Sequence, residues 1–224
     1  MRRILGIVAV CAVGSSAWGQ QIFHAFGGYT GGGGVVDGAI VYDNSANTLG
    51  FLINTADFER GDGVTLAGTD RVVTNINVMI HVNGGAAGTA DMQVRLFVGG
   101  DAGGGDPGAL LWDSGLFAGV ALSAGLAGYD FAVSNVTVPD EITWTVALSN
   151  VQTAGTTGVR FVAPPTVGSS EDWVWDHTGG VWTQQVFGVG AGNNSFGATI
   201  TAIPTPGSLG LLAIGGIVML RRRR

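Results

Sequence analysis

The feature that most constrains the fold is an alternation of apolar and polar side chains between Val72 and Val82. Five of the six even-numbered residues in this stretch are apolar, whereas Asn75, Asn77 and His81 are among the odd-numbered ones. Because successive side chains of a β-strand point to opposite faces of the sheet, this pattern predicts a strand that is buried on one face. The same alternation recurs in two further stretches, Met92–Val98 and Ile142–Leu148.

Glycine-rich turns separate these stretches. The chain has 40 glycines in 224 residues, and many of them lie beside Asn, Asp or Pro. Such residues supply the positive φ angles and fixed bends of hairpin turns and loops. Shorter strands are predicted between these turns, at 39–42, 50–54, 109–112, 129–136, 158–163, 172–175, 181–187 and 197–202.

This pattern predicts an all-β fold. No segment between the two termini combines an apolar stripe of 3.6-residue period with helix caps. We therefore expect an antiparallel β-sandwich, jelly-roll-like, flanked by an N-terminal signal helix and a short C-terminal apolar helix. A parallel β-helix would also use many glycines, but the chain lacks the fixed short repeat that a solenoid requires.

The N-terminus has the three parts of a secretory signal peptide. Arg2 and Arg3 precede an apolar stretch at 4–13. The small residues Ala17 and Gly19 then lie where a signal peptidase would recognise them, which predicts export. The predicted organisation is a signal peptide at 1–19, a Gly-rich lead-in segment at 20–34, a β-sandwich domain at 35–203 and a C-terminal sorting signal at 204–224.

The C-terminus carries a second targeting pattern. Pro204, Thr205, Pro206 and Gly207 precede an apolar run at 209–220, and four arginines end the chain. As a helix the apolar run would span about 18 Å, well short of the roughly 30 Å hydrocarbon core, so it is a weak anchor by itself. The arginines would stay on the cytoplasmic side, which places the middle of the chain outside the inner membrane.

This order of a proline motif, a short apolar helix and an arginine cluster resembles the PEP-CTERM sorting signal of Gram-negative bacteria, in a Pro-Thr-Pro-Gly-Ser form. Thr205 stands where the family has a central Glu. The resemblance implies that an exosortase, a membrane-embedded transpeptidase-like enzyme, recognises the motif at 204–207. It also implies that the tail is removed after transient membrane anchoring, and that the protein reaches the cell surface or extracellular matrix.

Composition excludes several functions for the region between the two signals. The region holds four arginines, no lysine and all sixteen acids of the chain, which gives a net charge of −12. This balance argues against nucleic acid as a partner, because phosphate neutralisation needs basic residues. The region also has no cysteine, which excludes disulfides and thiolate metal sites, and the lack of lysine excludes Schiff-base chemistry.

Two aspartates of a Gly-rich loop, Asp101 and Asp106, are the candidate metal ligands. Carboxylate and carbonyl oxygens in a pliable loop are what Ca²⁺ prefers, so Ca²⁺ is the one cofactor that we consider. The spacing matches no known calcium loop, however, and aspartate beside glycine and proline is also a common turn former. A second acidic loop, with the same two interpretations, is predicted between Asp57 and Asp70.

Three tryptophans form the candidate ligand-binding group. Trp173 and Trp175 would share one face of a strand, and Trp182 would lie opposite them across a Gly-Gly turn. Stacked indoles beside polar groups would provide a platform for a carbohydrate such as an exopolysaccharide. The alternative is an aromatic cluster that seals one end of the sandwich, because tryptophan in a small β-domain is usually buried.

No arrangement of residues predicts catalysis. Glu171 and Asp172 are adjacent, so their side chains would point to opposite faces of a strand and would not face each other across a cleft as a glycosidase requires. The three histidines are scattered, and no serine lies in a nucleophile motif. The leading hypothesis is a non-enzymatic exported protein with a structural or adhesive role. The alternatives are a carbohydrate-binding module, Ca²⁺-assisted or not, and, ranked lower, a secreted glycoside hydrolase.

Overall fold

The computed structural model describes residues 26–27, 38–51, 57–84, 87–99, 105–187 and 194–205. Within these ranges the chain forms fourteen β-strands and no helix. The predicted signal peptide, most of the lead-in segment and the apolar run at 209–220 lie outside the described residues. The strands are β1 (Phe26–Gly27), β2 (Ala39–Asp43), β3 (Thr48–Phe51), β4 (Phe58–Thr65), β5 (Val72–Asn83), β6 (Gly88–Val98), β7 (Leu110–Asp113), β8 (Phe117–Leu122), β9 (Gly125–Thr137), β10 (Glu141–Gln152), β11 (Thr156–Val162), β12 (Ser169–Asp176), β13 (Thr183–Gln185) and β14 (Ala198–Ile203).

The first sheet has seven strands, with β5 at its centre. The order is β1-β9-β5-β11-β3, and β14 pairs with both β5 and β2. Residues 72–78 of β5 pair with β14, whereas residues 80–83 pair with β11, so the length of β5 lets two strands share one of its edges. The short strand β1 pairs with β9 and adds part of the lead-in segment to the sheet.

The second sheet also has seven strands, in the order β13-β12-β4-β10-β6-β7, with β8 paired to β6. Each strand pairing in the two sheets is antiparallel. The predicted all-β class with antiparallel sheets is therefore confirmed. Among the described residues, no helix is both long and apolar enough to cross a membrane.

The inward faces of both sheets contribute to one hydrophobic core. The alternation in β5, β6 and β10 predicted most of the buried residues correctly, because their even-numbered apolar side chains are buried, apart from Val98 at 38% exposure. The odd-numbered Val73 also enters the core. Burial of each large apolar side chain contributes roughly 1.5–3 kcal/mol. The four even-numbered residues from 142 to 148 have 0% exposure; they are Ile142, Trp144, Val146 and Leu148.

The prediction of an acidic loop between Asp57 and Asp70 is wrong. Most of that segment is β4, which lies between β10 and β12 in the second sheet. Two of its charged residues are buried with partners in the same sheet: Arg60 Nε lies 2.9 Å from Asp176 Oδ2 on β12, and Glu59 lies between Arg95 of β6 and Thr145 of β10. Charged side chains that are paired in this way can be buried in a sheet. Their presence in β4 interrupts the apolar alternation by which a strand is recognised in the sequence.

One buried carboxylate of β4, Asp62, faces the core and makes no ion pair among the described residues. Its Oδ2 accepts the backbone N–H of Phe196 at 3.2 Å, whereas its Oδ1 accepts no hydrogen bond from the described part of the chain. Asn44 holds the same Phe196 from the other group of its backbone, since its Nδ2 donates to the Phe196 carbonyl at 3.1 Å. Desolvation by burial raises the pKa of Asp62 well above its ordinary value of 3.8.

Candidate ligand-binding face

The outer face of the second sheet, which points away from the core, carries three rows of side chains. The rows arise because β12, β4, β10 and β6 are in register, so outward residues of neighbouring strands line up. The middle row is Trp175, Gly61, Thr145 and Arg95, and Asp113 of β7 extends it. The flanking rows are Gly63, Thr143 and Phe97 on one side, and Glu59, Ala147 and Gln93 on the other.

Two glycines of β4 let neighbouring groups approach this face closely. A Cβ on Gly61 would lie 1.8 Å from the carbonyl oxygen of Trp144, far inside any real contact, so this position requires glycine. A Cβ on Gly63 would lie 3.6 Å from the ring of Trp173 and 3.5 Å from Cγ of Glu171. Both glycines are buried, Gly61 against the backbone of β10 and Gly63 beneath side chains of β12.

Five rings form an aromatic cluster on the outer face: Phe97, Trp173, Trp175, His177 and Trp182. Trp175 meets Trp173 edge-to-face with ring centroids 5.1 Å apart, and it meets Trp182 in the same way at 6.2 Å. Trp182 also contacts Phe97 edge-to-face at 6.0 Å and stacks on His177 at 4.4 Å. These separations are the ones that aromatic pairs favour, so the rings hold one another in place.

A tight loop between β12 and β13 brings Trp182 over the sheet. The loop begins where the backbone N–H of His177 donates to the carbonyl of Glu59 at 2.9 Å, and Gly180 N then donates to His177 O at 3.1 Å. Gly179 and Gly180 have φ angles of 99° and 84°, a conformation that glycine adopts without strain. The Gly-Gly turn predicted from the sequence is therefore present, and it carries the third tryptophan back across the face.

The predicted platform of three tryptophans has to be corrected to two. Trp175 has 0% exposure, because it is the member that both other indoles contact, so its ring offers no surface to a ligand. Trp173 and Trp182 are partly exposed. Two exposed apolar side chains lie at opposite edges of this sheet: Leu110 on β7 at 54% exposure, and Val181 in the loop before β13 at 68%. The buried interpretation thus applies to Trp175, and ligand binding stays a prediction for the other two.

A network of polar side chains is fixed beside the aromatic cluster. Arg95 Nη1 lies 2.6 Å from Glu59 Oε2, and Arg95 Nε lies 3.0 Å from Asp113 Oδ2. Thr145 donates to the second oxygen of Glu59 at 2.7 Å, and Gln93 donates to Asp113 at 2.7 Å. The sequence alternation already placed Arg95 and Gln93 away from the core, but it did not show that Glu59 would join them, because β4 was not predicted.

The network stabilises the charged forms of Arg95 and Asp113. Burial alone would lower the pKa of Arg95, but hydrogen bonds and charges from Glu59 and Asp113 outweigh it and raise that pKa. Burial would likewise raise the pKa of Asp113, yet hydrogen bonds from Gln93, from the backbone of Gly115 and from Arg95 bring it below the ordinary value. Arg95 and Asp113 are therefore a fixed ion pair at neutral pH, and Asp113 is poorly suited to donate a proton.

The predicted metal ligands are only partly described. Asp101 lies outside the described residues. Asp106 is exposed, and its Oδ1 accepts the backbone N–H of Gly108 at 2.8 Å, which is the hydrogen bond of a turn-forming aspartate. In the described ranges, no three His, Cys, Asp or Glu side chains come together as a metal site would need.

The predicted sorting motif begins directly after the last strand. β14 ends at Ile203, and Pro204 follows it as an exposed residue, with Thr205 partly exposed. Pro206 and Gly207 lie outside the described residues. The described half of the motif therefore follows directly on the last described strand.

Comparison of the chain with models of protein families, with curated proteins and with solved structures finds no match. No relative therefore assigns a role to a residue of the outer face. What this face can do chemically has to be argued from its two partly exposed indoles and from the polar groups fixed beside them.

Proposed function

We propose that this protein is an exported adhesive protein of the cell surface or extracellular matrix, and that the outer face of its second sheet binds a polysaccharide. The observation that carries the proposal is the pair of partly exposed indoles, Trp173 and Trp182, held by Trp175 beside a fixed polar network. Indole rings supply apolar area for the C–H faces of sugar rings, and neighbouring polar groups orient the hydroxyls.

The polar network offers both kinds of hydrogen-bonding partner to sugar hydroxyls. Asp113 is an exposed acceptor at the edge of the face, and Gln93 and Arg95 are partly exposed donors. These groups lie on strands and are held by hydrogen bonds, so little rotamer freedom remains to be lost when a ligand binds. A rigid face of this kind supports adhesion to a repeating chain, in which many weak contacts add through multivalency.

We also propose the finer architecture and the route of export. The two sheets would pack as a jelly-roll-like β-sandwich, and the signal helix at 1–19 would be removed on export. The apolar helix at 209–220 would anchor the chain until an exosortase cuts near the motif at 204–207. Two observations support this route: the tail resembles a PEP-CTERM signal, and the motif starts on an exposed proline just beyond β14.

We propose no catalytic role. A glycoside hydrolase needs two carboxyl groups about 5–9 Å apart across a cleft, one of them protonated. Asp172 Oδ1 accepts two hydrogen bonds from Asn194, each of 3.1 Å, while its neighbour Glu171 lies above Gly63 on the outer face. Asp113 is held ionised by Arg95. A hydrolase is therefore the lower-ranked alternative.

Affinity electrophoresis of the full chain through gels that contain soluble polysaccharides tests the binding proposal. We expect retardation of the wild type by at least one neutral glycan, and loss of that retardation in Trp173→Ala and Trp182→Ala. Leu116→Ala is the matched control, because it removes an exposed apolar side chain from a loop between β7 and β8. Unchanged retardation in both tryptophan variants would refute the proposed face, and a loss on addition of EDTA would assign a role to Ca²⁺.

Mass spectrometry of the protein recovered from its native cells tests the route of export. We expect the mature form to begin near residue 20 and to end near the motif at 204–207. A mature form that still ends with Arg224 would contradict sortase processing.

A further inference from the structure

The charge of the outer face limits which polysaccharides it accepts. Two carboxylates, Glu59 and Asp113, belong to the polar network, and two exposed ones lie nearby: Glu171 above Gly63, and Glu141 in the row beyond Thr143. Among the described residues in these rows, Arg95 is the only arginine. The indoles are therefore surrounded by a net negative charge.

Arg95, the one arginine of these rows, already forms ion pairs with two carboxylates. Each of the three nitrogen atoms of its guanidinium has an acceptor: Nη1 on Glu59 at 2.6 Å, Nε on Asp113 at 3.0 Å and Nη2 on Gln93 at 2.7 Å. A uronate or sulfate that approached Arg95 would therefore meet a guanidinium whose charge is already balanced by two carboxylates, Glu59 and Asp113. The other three arginines between the two signals are engaged or distant: Arg60 binds Asp176, Arg71 binds Asp140, and Arg160 lies on β11 of the first sheet.

We propose that the polysaccharide bound by this face carries no negative charge, and that it is an uncharged or amino-sugar chain. This inference rests on the proposed function, because it names the ligand class of the same face. An ammonium group on the sugar gains from Glu171 and Glu141, and a carboxylate is repelled by them. Because both acids are exposed, the preference weakens as salt is added, with a screening length of about 8 Å at physiological ionic strength.

Three polysaccharides of similar backbone and different charge test this inference on the full chain: a soluble neutral β-glucan, chitosan with free amines, and alginate with uronates. We expect binding to the glucan and to chitosan, and at least about tenfold weaker binding to alginate, which corresponds to about 1.4 kcal/mol. The ratio of chitosan to glucan affinity should fall at high salt. It should also fall in Glu171→Gln, whereas Asp106→Asn, an exposed aspartate in a turn, should leave the ratio as in wild type.

The outcomes separate this inference from the function on which it rests. Binding of alginate as tight as that of the glucan, with loss in Trp173→Ala, would overturn the charge preference and leave the binding face intact. A chitosan preference that Glu171→Gln does not change would also count against the inference. Failure of all three polysaccharides to bind would reject the proposed function itself, and the inference with it.

Discussion

The buried carboxylate of Asp62 should make the protein less stable as pH rises. In the unfolded chain this carboxyl ionises near 3.8, whereas in the folded protein burial raises its pKa well above that value. Between the two values the folded state holds one proton more than the unfolded state. The free energy of unfolding therefore decreases by about 1.4 kcal/mol per pH unit from this residue, for as long as the folded carboxyl stays protonated. Below pH 3.8 the residue makes no such contribution, because both states are protonated.

The substitution Asp62→Asn removes the titration and keeps the shape of the side chain. An amide oxygen can still accept the N–H of Phe196, which the carboxylate accepts at 3.2 Å. As pH rises above 3.8, the wild type should lose stability relative to this variant, by up to about 1.4 kcal/mol per pH unit while the folded carboxyl stays protonated. Other groups, such as His81, whose pKa burial lowers, titrate in both proteins and cancel in the difference.

Urea denaturation, followed by tryptophan fluorescence across this pH range, measures the difference. Asp106→Asn is the matched control, because it removes the same charge from an exposed turn. Parallel pH profiles for wild type and Asp62→Asn would refute the reasoning, since they would mean that Asp62 is ionised in the folded protein. Should the variant fail to fold, infrared spectroscopy of the wild type, followed as pH is raised from 3.8, still decides the matter, because a protonated buried carboxyl has its own carbonyl band.

Three further predictions concern packing, and urea denaturation measures each of them. Gly61→Ala should prevent folding, because its Cβ would lie 1.8 Å from a backbone oxygen of β10. Gly50→Ala, with open space around the added Cβ, should change the free energy of unfolding by less than about 0.5 kcal/mol. Equal effects of the two substitutions would contradict the assigned register. Arg60→Ala should cost about 3–5 kcal/mol because it leaves Asp176 buried and unpaired, and a smaller loss would mean that this carboxylate reaches water. Trp175→Ala should cost about 3–5 kcal/mol and also weaken glycan binding, since the exposed indoles lose their support; unchanged stability would mean that the cluster is not packed as described.

The strands with the clearest alternation in the sequence are ones whose inward residues are apolar. β5, β6 and β10 show the period of two because water lies on one side and the core on the other. β4 was missed because two of its inward residues are Arg60 and Asp62. Their partners are 116 and 134 positions away, at Asp176 and Phe196. The pattern of neighbouring residues in the sequence does not show pairing over such distances. The burial of these charges can therefore be seen only in the folded structure.

The candidate site could be predicted in part. The spacing of Trp173, Trp175 and Trp182 and the Gly-Gly turn were enough to bring the three indoles together. The sequence left open which of the rings would be buried, because the answer depends on Trp182 reaching Phe97 on β6, four strands from β13. The register between β12 and β4 also shifts between Ser170 and Val174. The alternation of apolar and polar residues does not predict where such an irregularity occurs.

The two outer faces of the molecule differ in a way that solubility alone does not explain. On the first sheet the outward side chains of β5 include Asn75 and Asn77, both of which donate to Asp130 on β9. These polar groups are what a sheet surface in water is expected to carry, and Ile40, in the same row as Asn75, is 50% exposed beside them. On the second sheet the equivalent position holds an aromatic cluster whose rim, at Trp173 and Trp182, stays partly in solvent. Covering Trp175 does not by itself explain Trp173 and Trp182. A smaller outward residue at position 175 would need no covering rings. Exposed aromatic surface beside fixed polar groups is what the proposed binding site needs, and the outer face of the second sheet has both.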